Sequence, residues 1–224
     1  ASWGQWARLG ASMVARWSIT SLLWTDETDD GDTYWEAASD FFLTYIYDDT
    51  MGHGVLDLTG DGGSNVVAYA HCAASQYSGG DGNGSVTLMI ANPSQQTVTF
   101  VLDDSTTFPT FPRREFVLTA PGGDVLSTTP ILNGNTSAPL ALGHDGYLKY
   151  PINSKYCGDV GDGSSNDYAD ENGVYACPQT LTLRPRSQNF FVLLAANAVA
   201  CGGVTSSPTP IPTATNTNVQ SLSS

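Results

Sequence analysis

Positive charge is what this 224-residue chain has least of: 8 Lys and Arg stand against 22 Asp and Glu, a formal net charge of −14. Phosphate backbones are gripped by clustered basic side chains, so nucleic acid is not expected as a partner. The same shortage argues against a broad grip on sulfated polyanions. No apolar run reaches the roughly 20 residues that a membrane helix needs, so no membrane span is expected. Histidine is scarce too: His53, His71 and His144 show no metal-ligand spacing. The chain opens at Ala1 with neither a methionine nor a leader, which reads as a processed product, a fragment or a chain without its beginning. Apolar residues are not short: a hydrophobic content of 41% and an aromatic content of 10% suffice for a packed core and exclude a disordered chain.

Cysteine is sparse but even in number. Cys72, Cys157, Cys177 and Cys201, in a chain rich in Gly, Ser, Thr and Asn, read as a disulfide framework from an oxidising compartment. Three connectivities are open to four cysteines. The nested one, Cys72–Cys201 around Cys157–Cys177, is the expected pairing, against the alternative of buried free thiols in a cytosolic protein. Two sequons, at Asn83 and Asn135, agree with a secretory route; Asn92 is blocked by the following proline. The localisation expected is secreted or extracellular, with covalent glycans.

Trp3, Trp6, Leu9 and Met13 are at helical spacing. Residues 15–24 read as one buried strand and 25–32 as an acidic loop. Residues 32–52 read as a second helix with Trp35, Phe42, Tyr45 and Ile46 on its apolar side, stopped by Gly52 and Gly54. From there short apolar or alternating runs alternate with Gly, Asn, Asp and Pro clusters. Strands are expected near 54–58, 65–74, 85–91, 96–102, 114–120, 129–132, 146–150, 180–184 and 188–200, with a hairpin-type turn over 78–84. That grammar is mainly β, an antiparallel β-sandwich preceded by a helix–strand–helix prefix of α/β character. The organisation expected is a prefix over 1–53, a sandwich over 54–201 and a Ser/Thr/Pro-rich tail over 202–224, a linker or O-glycosylated stalk by composition.

Several of these segments resemble one family. Asp40-Phe41-Phe42 followed by Met51-Gly52-His53-Gly54-Val55-Leu56 resembles the helix entering the sandwich of heparanase-like enzymes, glycoside hydrolase family 79. Tyr69-Ala70-His71-Cys72, the strand GSVTLMIANPS (84–94), Leu132-Asn133-Gly134, and Asn189-Phe190-Phe191-Val192 with Ala200-Cys201 resemble further motifs, in the family's order. QWARLGAS with Trp6, Leu9 and Gly10, and Arg16 after it, resemble the helix and the arginine of the last barrel strand. The resemblance implies the end of a (β/α)₈ barrel, then the β-sandwich, with Cys72 bridged to Cys201. It also implies carbohydrate as the partner class.

Retaining glycosidases of this kind use two carboxyl groups about 5 Å apart. The resemblance places both glutamates on earlier barrel strands, at positions with no counterpart in this sequence. Glu27 and Glu36 read as solvated charges, while Asp26, Asp29, Asp30 and Asp32 follow a barrel-like strand. His71 beside Cys72 is poorly placed for joint catalysis, because neighbours on a strand face opposite ways. The loop between Cys157 and Cys177 offers Asp159, Asp162, Asp167 and Asp170 as weak calcium ligands, without EF-hand spacing. No catalytic residue is assigned and no cofactor is expected. The chain thus reads as the non-catalytic sandwich portion of a heparanase-like hydrolase, completed by a missing N-terminal barrel segment. The alternative is a structural or assembly subunit of a filament or matrix, its tail held by a neighbouring identical subunit.

Overall fold

The fold is that of a computed structural model, which describes residues 23–27, 31–58, 66–77, 84–102, 109–110, 112–124, 127–158, 178, 180–202 and 214–217, the side chains of 33, 34 and 214–217 excepted. The expected helix over 2–14, the resembling residues Trp6, Leu9, Gly10 and Arg16, and the loop carrying Asp159 to Asp170 lie outside the described residues. So do Asp29, Asp30, Asn83 and Cys177.

A seven-stranded antiparallel sheet is the centre of the molecule. In spatial order it runs β3 (Met51–Leu56), β4 (Val67–Ala73), β5 (Val86–Asn92), β11 (Ser187–Leu193), β7 (Arg113–Thr119) and β8 (Ile131–Leu132), with β9 (Lys155–Cys157) also pairing with β7. A second, three-stranded sheet has the order β10 (Leu181–Leu183), β6 (Val98–Leu102), β12 (Ala214–Thr217). The central strands explain their own sequences. Both faces of β5 are covered, so all seven of its residues are buried and its run is apolar rather than alternating.

One face of the large sheet packs on the small sheet. Val86, Leu88, Ile90, Phe191 and Leu193 meet Val98, Phe100, Leu102, Leu181 and Leu183 in one core. The other face carries a second core, in which Met89, Phe116, Phe190 and Val192 meet Phe42 and Ile46 of helix α1 (Ser39–Thr50) and Leu132 and Leu140 of the following segment. Phe42 and Ile46 are four apart and wholly buried, as one stripe of a helix lying on a sheet requires. The architecture is therefore sheet on sheet with a helix on the outer face of the larger sheet.

The prefix differs from its expectation. Strand β1 is Leu23–Glu27, and it pairs antiparallel with β2 (Thr33–Ala37) in a two-stranded hairpin. The segment read as an acidic loop and helix start is thus largely hairpin, and the helix begins only at Ser39. Trp35 broke the reading: it falls at helical spacing before Phe42, yet it stands on β2, 40% exposed, with its ring against Gly146.

Gly52 and Gly54 do not stop the helix by a turn. They lie inside β3, which follows α1 directly, in a register that shifts between Met51 and Val55. A Cβ on Gly54 would meet Cys72 Sγ at 2.5 Å, and one on Gly52 would meet the Cys72 and Ala73 carbonyls at 2.8 Å. Both glycines let β3 close on the disulfide-bearing end of β4.

Residues 146–150 form no strand, only an isolated bridge between Leu142 and Leu148. The last long strand ends at Leu193 instead of 200, because Ala198 turns back to donate its N–H to the Gly84 carbonyl. The tail contributes β12, whose register runs from Ala214 opposite Leu102 to Thr217 opposite Thr99. It begins just after Pro212, since proline has no N–H for a ladder.

Candidate functional site

The disulfide is the first feature of chemical note. Cys72 near the end of β4 is bonded to Cys201 in a short 3₁₀ turn, with Cα atoms 5.3 Å apart. Cys157 is also disulfide-bonded. His71, one residue before Cys72, faces the other way and is buried. Its Nδ1–H donates to the Gly52 carbonyl at 2.9 Å, which leaves Nε2 to accept from the Tyr47 hydroxyl at 3.4 Å. This is the wiring of a neutral imidazole that ties β4 to β3 and α1, not of a ring poised beside a thiol.

Burial pushes the His71 pKa below its ordinary value of 6.5, against a smaller upward pull from the Gly52 carbonyl. The folded chain therefore binds fewer protons than the unfolded one between the lowered value and 6.5. The stabilising contribution of neutral His71 is complete above pH 6.5 and is lost as pH falls through the folded-state value. Urea midpoints measured from pH 8 down to 4 should show this loss, and His71→Gln should flatten that part of the profile. An unchanged profile in the variant would assign the acid sensitivity to other groups.

The hairpin carboxylates do not form the pair that glycoside hydrolysis needs. Glu36 lies opposite Trp24, and Glu27 is three residues further along the same strand, so Glu27 and Glu36 face opposite sides. Asp26 does share the Glu36 face as its diagonal neighbour, a separation of about 7–8 Å between Cα atoms. That arm is exposed, the Asp26 carboxylate accepts the Glu27 N–H, and the hairpin lines neither of two clefts formed by the described residues. His53 and His144 are exposed on separate elements, and no group of three metal-ligating side chains occurs among the described residues. Asn135 is exposed in the turn after β8, where its Oδ1 accepts the Ser137 N–H.

The first of those clefts, about 260 Å³, opens at the N-terminus of α1. Ser39, Asp40 and Leu43 form one wall, and Asn92, Leu118, Arg186 and Gln188 are among the residues opposite. Most of its polar groups are already engaged. Asn92 Nδ2 donates to the carbonyls of Gln96 and Arg184, while its Oδ1 takes the N–H and hydroxyl of Ser94. Arg186, at φ 48°, donates to the Gly123 carbonyl. Gln188 Oε1 is a buried acceptor with no donor. One carboxylate, one engaged guanidinium and an orphaned amide oxygen suit hydrogen bonding to a hydroxylated ligand. They do not supply an acid and a nucleophile.

The second cleft, about 240 Å³, lies between β7 and β9 on one side and the segment carrying β10 on the other. Its floor holds Arg113, the largest fully buried side chain among the described residues. Arg113 Nε meets Glu115 Oε1 at 2.6 Å, and Nη1 donates to the carbonyls of Thr110 and Pro178. Sequence reasoning passed over this pair. The available signal was the R-x-E spacing of Arg113 and Glu115 ahead of the apolar run Phe116-Val117-Leu118, which puts both charged side chains on one face.

No protein-family model matches the chain, and no curated protein matches it at significant similarity.

Proposed function

We propose that the chain is the C-terminal β-sandwich portion of a secreted heparanase-like glycoside hydrolase, acting as a bracing module rather than as the catalyst. The observation that carries this reading is the convergence of the resembling segments. Tyr69–Cys72 lies on β4, 84–94 runs through β5, 189–192 lies on β11 and Leu132–Gly134 closes β8. Segments up to about 120 residues apart in the sequence thus lie in one sheet, whose first and last long strands are joined through Cys72–Cys201. The hairpin and α1 would stand where the barrel remnant hands over to the sandwich. Asn135, in an exposed turn, would carry a glycan.

Peptide sequencing of the native particle tests this directly. The expected result is an upstream segment bearing two glutamates, with β-glucuronidase activity in the complete particle and none in the 224-residue chain alone. A native particle without such a segment overturns the reading.

One observation favours the alternative of an assembly subunit. The small sheet is completed by a strand from the tail, and a strand supplied in cis is chemically equivalent to one supplied by a neighbouring copy. Light scattering of the purified chain separates the two readings: an ordered oligomer that falls apart when residues 203–224 are removed would support the subunit.

A further inference from the structure

We propose that Asn133 is a deamidation site gated by the fold: its side-chain amide clasps a gap in the large sheet, and its spontaneous conversion to a carboxylate opens that clasp irreversibly. This holds whether or not the chain belongs to a hydrolase. Strand β7 has two partners along one edge, β8 at Leu118 and Thr119, and β9 from Arg113 to Glu115. Neither register includes Val117, and Asn133 fills the gap. Its backbone N–H donates to the Val117 carbonyl at 2.8 Å, and its Oδ1 accepts the Val117 N–H at 2.8 Å. Its Nδ2 donates to the carbonyls of Glu115 at 3.3 Å and Asn153 at 3.0 Å. An asparagine amide, with both an acceptor and a donor group, thus stands in for the stretch of ladder that the two short strands leave out.

The turn that places this amide also exposes it to attack from its own backbone. Asn133, at φ 53°, and Gly134, at φ 77°, are both left-handed, and the Asn135 N–H closes the turn on the Leu132 carbonyl at 3.0 Å. The turn requires glycine second: a Cβ on Gly134 would stand 3.0 Å from Arg184 Nη1, in a conformation that side chains rarely adopt. Glycine is also the successor whose nitrogen is least hindered in attacking the preceding side-chain amide. In that reaction the Gly134 nitrogen gives up its proton and bonds to Asn133 Cγ. The Cγ–Nδ2 bond breaks, and Nδ2 leaves as ammonia with a proton. Water then opens the cyclic imide at either carbonyl, giving aspartate or isoaspartate.

The native contacts hold this reaction back, and the reaction removes them. Both polar atoms of the amide are engaged, so Cγ swings onto the Gly134 nitrogen only after the clasp has opened. Deamidation of the folded chain then runs at the rate of the opened chain multiplied by the fraction opened. The carboxylate that results has no N–H to give. The Glu115 and Asn153 carbonyls lose their donor and face a negative charge in its place. Isoaspartate adds a methylene to the backbone and shifts the turn against Val117. The joint between β8, β9 and β7 can only loosen as the molecule ages.

The test follows deamidation of the 224-residue chain at pH 8 by peptide mass spectrometry, folded and in urea. A synthetic peptide of residues 131–137 corrects for the effect of urea on the chemistry. Asn133 should convert at least about tenfold more slowly in the folded chain than in urea. Asn133→Asp, which carries one of the two products, should exchange the amide hydrogens of β9 about tenfold faster than the parent, a larger change than in β5. Should that variant not fold, the deamidated fraction of the parent, separated by ion exchange, gives the same reading. Equal rates in the folded chain and in urea would overturn the gating. Exchange across β9 no faster than in the parent would overturn the opening of the clasp.

Discussion

Replacing Cys72 and Cys201 together by alanine should lower the stability of the chain by about 4–5 kcal/mol, the largest loss expected from any surface-accessible change. The bond joins residues 129 apart in sequence. Freed of it, the unfolded chain regains the conformational freedom of a very long loop, while the folded sheet loses little beyond one packed sulfur pair. The effect therefore resides mainly in the unfolded state, and it should appear as a lower urea midpoint with a larger m-value. Local packing argues in the same direction. A Cβ on Gly54 would stand 2.5 Å from Cys72 Sγ, so the glycine backbone leaves the space that the bridge occupies. A double variant that unfolds within about 1 kcal/mol of the parent would show that the bridge is not closed in the native protein.

Arg113→Met should be nearly as costly, about 3–5 kcal/mol, because it takes the guanidinium partner from the buried Glu115 carboxylate and leaves the carbonyls of Thr110 and Pro178 without their donor. The side chains of Arg113 and Glu115 are 1% and 7% exposed, so water cannot replace the lost partner. The sign of the coupling is the sharper prediction. Arg113→Met combined with Glu115→Leu removes both charges and should recover a large part of the loss, since a buried ion pair is only weakly favoured over an apolar pair of similar volume. Chemical denaturation of the parent, the two single variants and the double variant gives the cycle. A double variant as unstable as the sum of the singles would mean that the two side chains do not act on one another.

How much of this was legible in the sequence follows from burial. Strands β5, β7 and β11 are covered on both faces or nearly so, and they stand out, like the half-covered β4, as apolar runs between turn residues. Strands β9 and β12 could not be read. KYC and ATNT are short and polar, and only pairing with β7 and β6 makes them strands. The β1–β2 hairpin was hidden for a related reason: its outer residues Thr25, Asp26 and Glu27 are exposed, so the acidic run carries no period of a buried face. The outer disulfide was readable because its cysteines flank the long strands. The cleft over Arg113 was not, since Arg113, Lys155 and Arg184 come from three separate strands or their ends and meet only after the sheets have paired.

The outer disulfide has a mechanical consequence. Tension applied to the chain before Cys72 and after Cys201 passes across one covalent bond and bypasses everything between them. The chain between these cysteines, 129 positions apart and about 430 Å if drawn out, is withheld from extension. Helix α1 and β3 lie on one side of that shunt and β12 on the other. Under load the helix and β3 can peel from the large sheet, and the tail strand can strip from β6, while the strands from β5 to β11 stay slack. The molecule can therefore give at its margins without surrendering its centre.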